Sequence, residues 1–89
     1  MIVEFDKSFE KSLSKLKDKS LFPKIEKAIH HLENASSLNE ITSVKKLSGF
    51  KEYYRYRLGD YRIGFEQISK NTIRLIVIAH RKDVYSVFP

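Results

Sequence analysis

The sequence predicts a single α+β domain of element order β-α-α-β-β-β, with an antiparallel meander sheet packed against an N-terminal helical hairpin. Three observations carry that prediction. The chain has 89 residues, room for one core and no second. Its apolar residues recur at helical spacing through the first third and at every second position after Val44. Hydrophobic residues make up 42% and aromatic ones 12%, enough apolar area to offset the entropy of ordering the chain. A domain of this size buries about 60 to 70% of its unfolded surface, which suits one sheet backed by a helix or two.

Ile2, Val3, Glu4 and Phe5 read as an opening strand, and Asp6 as the N-cap of a helix. Phe9, Leu13 and Leu16 follow at helical spacing with Lys11, Lys15 and Lys17 between them, an amphipathic helix of about three turns. Asp18, Lys19 and Ser20 break it. Ser20 opens a second helix whose first turn tolerates Pro23, because the N–H groups there lack intrahelical partners in any case. Ile25, Ala28, Ile29 and Leu32 form its buried stripe. The short connection makes an antiparallel hairpin the simplest arrangement.

Asn34 to Thr42 is a polar loop anchored by Leu38 and Ile41. Val44 to Leu47 reads as a strand start, Gly49 as a bend, and Tyr53 to Leu58 as a strand alternating aromatic residues with arginine. Gly59 and Asp60 form a two-residue hairpin turn, with glycine where type II′ requires positive φ. Tyr61 to Ile68 returns, Ser69 to Asn71 turn again, and Thr72 to His80 is the last strand of a three-stranded meander. Its apolar run points to a central place in the sheet.

Charge divides the chain unequally. Seven lysines and seven acids balance in residues 1–44, whereas residues 45–89 hold ten basic residues and four acids, so the whole net charge of +6 lies in the second half. All five arginines are there: Arg55, Arg57, Arg62, Arg74 and Arg81. The planar guanidinium suits bidentate phosphate contacts, so an anionic partner is expected on this half, against the plainer reading of a merely basic surface. The chain has no cysteine, which excludes a disulfide scaffold and a thiolate metal site and makes the cytoplasm the default compartment. The longest apolar run, Leu75 to Ala79, falls far short of the ~18 residues of a spanning helix, and no signal-peptide pattern opens the chain.

With the turn at Gly59 and Asp60, Leu58 faces Tyr61, Arg57 faces Arg62, Tyr56 faces Ile63, Arg55 faces Gly64 and Tyr54 faces Phe65. One face then holds Tyr54, Tyr56, Leu58, Tyr61, Ile63 and Phe65 and belongs against the helices. The other holds Tyr53, Arg55, Arg57, Arg62, Gly64 and Glu66. Like charges directly opposite each other cost about 0.2–1 kcal/mol, a cost that an anion bound between Arg57 and Arg62 would remove. Gly64 opposite Arg55 leaves a hollow where a ribose or phosphate can approach the backbone. A charged face that merely deters edge pairing is the competing reading. Glu66 reads as an ion-pair partner of Arg74 or of an arginine on the basic face. His30 and His31 read as surface or boundary residues of the helical hairpin.

The combination of Lys46-Leu47-Ser48-Gly49, the run Tyr54-Arg55-Tyr56-Arg57-Leu58-Gly59-Asp60-Tyr61-Arg62-Ile63 and the closing His80-Arg81-Lys82-Asp83-Val84-Tyr85 resembles the RelE/ParE superfamily of toxins from toxin-antitoxin pairs. The resemblance covers essentially the whole chain. On the RelE-like side it implies a ribosome-dependent endoribonuclease that enters the A site and cuts mRNA without a metal or other cofactor. The 2′-hydroxyl attacks the adjacent phosphate, the 5′-oxygen leaves, and a 2′,3′-cyclic phosphate results. Arg62 and Arg81 match the family's phosphate-stabilising positions. Arg55 and Arg57 fall where several members carry lysine, and Tyr85 where members carry a catalytic or base-stacking tyrosine. Catalytic roles are thus expected of Arg57, Arg62, His80, Arg81 and Tyr85, and RNA contacts of Lys46, Lys51, Arg55 and Lys82.

Where some relatives use lysine as general base this chain has arginine, which stays protonated at neutral pH. By side-chain chemistry His80 is the first acid/base candidate and Tyr85 the second. The resemblance also implies a cognate antitoxin, an acidic or amphipathic segment that folds on the toxin, with Leu13 and Leu16 either in that contact or simply packed on the sheet. Two other functions stay open: a ParE-like inhibitor of DNA gyrase with no active site, and an RNA-binding module without turnover. No membrane or metal partner is expected.

Overall fold

The computed structural model describes residues 1–49 and 52–89. Strand β1 (Ile2–Phe5) leads into helices α1 (Lys7–Ser14) and α2 (Leu21–Asn34), and a short 3-10 turn over Leu38–Glu40 follows. Strands β2 (Val44–Lys46), β3 (Tyr53–Leu58), β4 (Tyr61–Ser69) and β5 (Thr72–His80) complete one sheet, and a one-turn helix α3 (Val84–Val87) follows it. Among the described residues no helix is long and apolar enough to cross a membrane.

Asp6 caps α1 as expected, its carboxylate accepting the Ser8 N–H at 3.0 Å. The helix ends a turn earlier than its apolar spacing suggests. Lys15 and Leu16 donate to the carbonyls three residues back, a tightening that keeps Leu16 against the core without prolonging the helix. Ser20 stands before α2 but gives no side-chain cap. Asp18 takes that part, accepting the Ser20 N–H at 3.0 Å. Both carboxyls are held below their ordinary range, first by the side-chain hydroxyl and then by the backbone N–H that each accepts.

The sheet order is β1-β5-β4-β3-β2. Strands β2 to β5 form an antiparallel meander, one strand longer than expected because Val44–Lys46 pairs with β3 as a strand of its own. The sheet is mixed rather than wholly antiparallel: β1 joins β5 in parallel, Ile2 opposite Thr72 and Phe5 opposite Leu75. Strand β4 therefore takes the centre, and β5 is interior between β1 and β4.

The helical hairpin covers one face. Phe9, Ile25, Ala28 and Leu32 from the helices meet Ile63, Phe65, Ile73 and Leu75 from the sheet, all buried. Ser12 fastens α1 to β5, its Oγ accepting the Ile78 N–H at 3.0 Å. Leu13 and Leu16 pack against this core, so the simpler of their two expected uses is met. Where α2 meets β3, His31 Nδ1 lies 2.9 Å from the Tyr56 hydroxyl, and burial pushes the Tyr56 phenol up.

Candidate nucleic-acid interface

The β3–β4 hairpin has the register read from its turn, with Arg57 directly opposite Arg62 and Arg55 opposite Gly64. Gly59 has φ +59 and Asp60 is not in the left-handed region, the combination a type II′ turn needs. Period-two alternation then puts Arg55, Arg57 and Arg62 on the face away from α1 and α2. The two opposed arginines are managed unequally. Arg62 turns its Nη1 onto the carbonyl oxygens of Gly59 (2.7 Å) and Tyr61 (2.8 Å), whereas Arg57 stays exposed.

Two adjoining grooves open on this face. One, of about 510 Å³, is lined by Lys45, Lys46, Arg55, Arg57, Arg62 and Tyr85 with Thr42, Ser43, Leu47 and Ser48. The other, of about 430 Å³, is lined by Arg55, Arg62, Arg81, Lys82, Val84 and Tyr85. Arg55, Arg62 and Tyr85 form the shared wall. Among the described residues neither groove is lined by an acid, so the cations sum into one field suited to a polyanion. Arg81 has Asp60 3.9 Å from its Nε, a contact between two largely exposed groups that adds little.

His80 is not part of this constellation. It faces Tyr61 across β4–β5, ring centroids 5.4 Å apart and edge-on. It opens into a separate cleft beside Lys11, Lys15 and Leu16, because one step along a strand reverses the side on which a residue stands. Its Nδ1 accepts the Lys82 N–H at 3.2 Å, which leaves the proton of the neutral ring on Nε2. Lys46 pairs in register with Tyr54 and lies with its Nζ 6.0 Å from that ring's centroid, so it reaches the groove only at its edge. Lys45, opposite Arg55, is the β2 lysine on the basic face, and its placement needed the β2–β3 register. Lys51 lies outside the described residues. Arg74 pairs with Glu4 at 3.3 Å rather than with Glu66.

The expected hollow at Gly64 is filled. The Phe88 ring lies over it, so close that a Cβ on Gly64 would stand 2.6 Å from two ring carbons. No ribose or phosphate can enter there. Arg55, expected to contact RNA, donates from Nη2 to the Phe88 carbonyl at 3.2 Å and sets its guanidinium 4.4 Å from the centroid of the Tyr85 ring. Tyr85 itself is 75% exposed, a flat aromatic surface beside the arginines and suited to stacking on a base. Among the described residues the grooves thus offer fixed cations, lysine amines and one phenol, and neither an imidazole nor a carboxylate.

Residues 3–85 match the family model described as the ParE toxin of the type II toxin-antitoxin system parDE. The chain belongs to this toxin family. Over the full length of both chains the toxin is 38% identical to Toxin RelE3 of Methanocaldococcus jannaschii. Its fold superposes on a chain of the RelB-RelE antitoxin-toxin complex from Methanococcus jannaschii with TM-score 0.77 and 36% identity, covering 97% of this chain and 99% of that one. An archaeal RelE-RelB complex from Pyrococcus horikoshii matches with TM-score 0.69 and 28% identity, over 90% and 93% of the two chains. These relatives make the protein a RelE-like toxin of a type II toxin-antitoxin system.

Proposed function

We propose that this toxin is an endoribonuclease that cuts mRNA in the ribosomal A site, acts in the cytoplasm and is neutralised by a cognate antitoxin. The observation that carries the reading is the cationic wall of Arg55, Arg57, Arg62 and Arg81, in grooves that no acid lines among the described residues, with Tyr85 exposed beside it. In the reaction the 2′-oxygen forms a bond to phosphorus, the P–O5′ bond breaks, and the products are a 2′,3′-cyclic phosphate and a 5′-hydroxyl. Negative charge grows on the phosphoryl oxygens in the transition state. Arg62 and Arg81 would meet it, a role supported for Arg62 by the two carbonyl oxygens that orient its guanidinium. Tyr85 would stack on a base and hold the backbone in line for attack. His80 lines a different cleft from these arginines; solvent or a group of the ribosome takes the 2′-proton and supplies the proton that the leaving 5′-oxygen gains, and catalysis rests on positioning and charge. Solved relatives that are antitoxin-toxin complexes support the antitoxin partner.

Arg62→Ala and Arg81→Ala are each expected to slow cleavage on translating ribosomes about 10²- to 10³-fold and to relieve growth arrest, while both variants stay folded by circular dichroism. Full cleavage by both variants would sink the reading. The family model's ParE description favours a second reading, inhibition of DNA gyrase by protein contact. Primer extension on cellular mRNA separates the two. Cuts in phase with codons support the nuclease, and a DNA-damage response over intact mRNA supports gyrase inhibition.

A further inference from the structure

Helix α3 is one turn long, too short to hold itself, yet it carries the tyrosine that faces both grooves. What holds it lies at its end. Phe88 is only 2% exposed; its ring caps Gly64 and meets Tyr53 edge-on, centroids 5.5 Å apart. Its N–H closes the turn on the Val84 carbonyl at 2.9 Å, and its own carbonyl accepts from Arg55. The other side of the clamp is the Arg55 guanidinium stacked on Tyr85. A glycine in the middle of the central strand costs stability, and the seated ring accounts for it. Arg55 Nε is buried with no hydrogen-bond partner among the described residues, a cost that a lysine would avoid. The planar fork is kept because it stacks and donates at once.

We infer that Phe88, seated on Gly64 and clamped by Arg55, is a positioning residue that fixes Tyr85 over the basic grooves. The inference rests on the nuclease reading for its effect on rate, but the socket itself is read from structure alone. Arg55 accordingly serves as a clamp rather than as a phosphate ligand.

The test combines steady-state mRNA cleavage on programmed ribosomes with amide hydrogen exchange across residues 84–88. Phe88→Ala and Gly64→Ala should each remove protection at the backbone amide of position 88 and lower kcat about 10- to 100-fold, because a small misplacement of a positioned group is costly. KM should stay within about three-fold, since ground-state binding by the arginines is untouched. The double variant should be no worse than the poorer single one, since both open the same socket. Arg55→Lys should fall with them although it keeps the charge, and Phe88→Leu, which refills the socket, should recover part of the rate. Wild-type protection and kcat in both alanine variants would overturn the inference, as would losses that multiply in the double variant. Should Phe88→Ala fail to fold, Arg55→Lys and Phe88→Leu decide by the same readings. Should the wild-type toxin cut no mRNA, the nuclease reading fails by itself. Protection at the backbone amide of position 88 then decides the socket, lost in both single variants if it exists and unchanged if it does not.

Discussion

The two faces of the β3–β4 hairpin share one backbone and have opposite fates. Toward the helices, Tyr56, Ile63 and Phe65 are buried and Tyr54 stacks on Phe65, centroids 5.5 Å apart and 13° from parallel. Away from them, Arg57 stands opposite Arg62, and among the described residues carbonyl oxygens alone soften the contact. The first face stabilises the domain, and the second carries like charges that oppose folding and favour a polyanion. Alternate residues of one ribbon therefore answer to different requirements, and substitutions should separate cleanly by side.

The largest expected effect is on the helix side. Phe65→Ala should cost about 3–5 kcal/mol by opening a cavity in a small core, read as a fall in the denaturant midpoint at constant slope. On the other side the sign should reverse. Arg57→Ala should raise stability by about 0.2–1 kcal/mol through relief of the facing charge, while lowering cleavage. A loss of stability there would break the comparison. Tyr56→Phe should cost about 0.5–1.5 kcal/mol by removing the hydroxyl from His31, with cleavage unchanged.

The smallest effect concerns pH. Asp6 has a folded pKa below its ordinary value of 3.8, so the stability it contributes is complete above that value and is lost as pH falls through the folded pKa. Asp6→Asn keeps an acceptor at the N-cap but cannot titrate, and should therefore flatten the acid limb of a helix signal followed by circular dichroism.

The hairpin register was legible because a two-residue Gly-Asp turn leaves the flanking strands one way to pair. The parallel contact of β1 with β5 was not, since strands about seventy residues apart leave no local trace. At the site, the arginine face followed from period-two alternation. The same alternation, carried one strand further, places His80 with Tyr61 and away from Arg62, which chain adjacency to Arg81 did not reveal. Lys45 and Lys46 were separable only once the register of β2 on β3 was known. Gly64 announced a hollow in the sequence but not its occupant, because Phe88 arrives from 24 positions away.

The pairing of β1 with β5 also sets an order of events during synthesis. The first strand and both long helices are made well before the strand that covers them. Phe9 and Ser12 lack the strand that α1 chiefly packs on until Ile73 to Ile78 have emerged. Arg57, Arg62 and Arg81 come to share one face only as that last strand docks. While it is being made, the toxin is an unarmed chain.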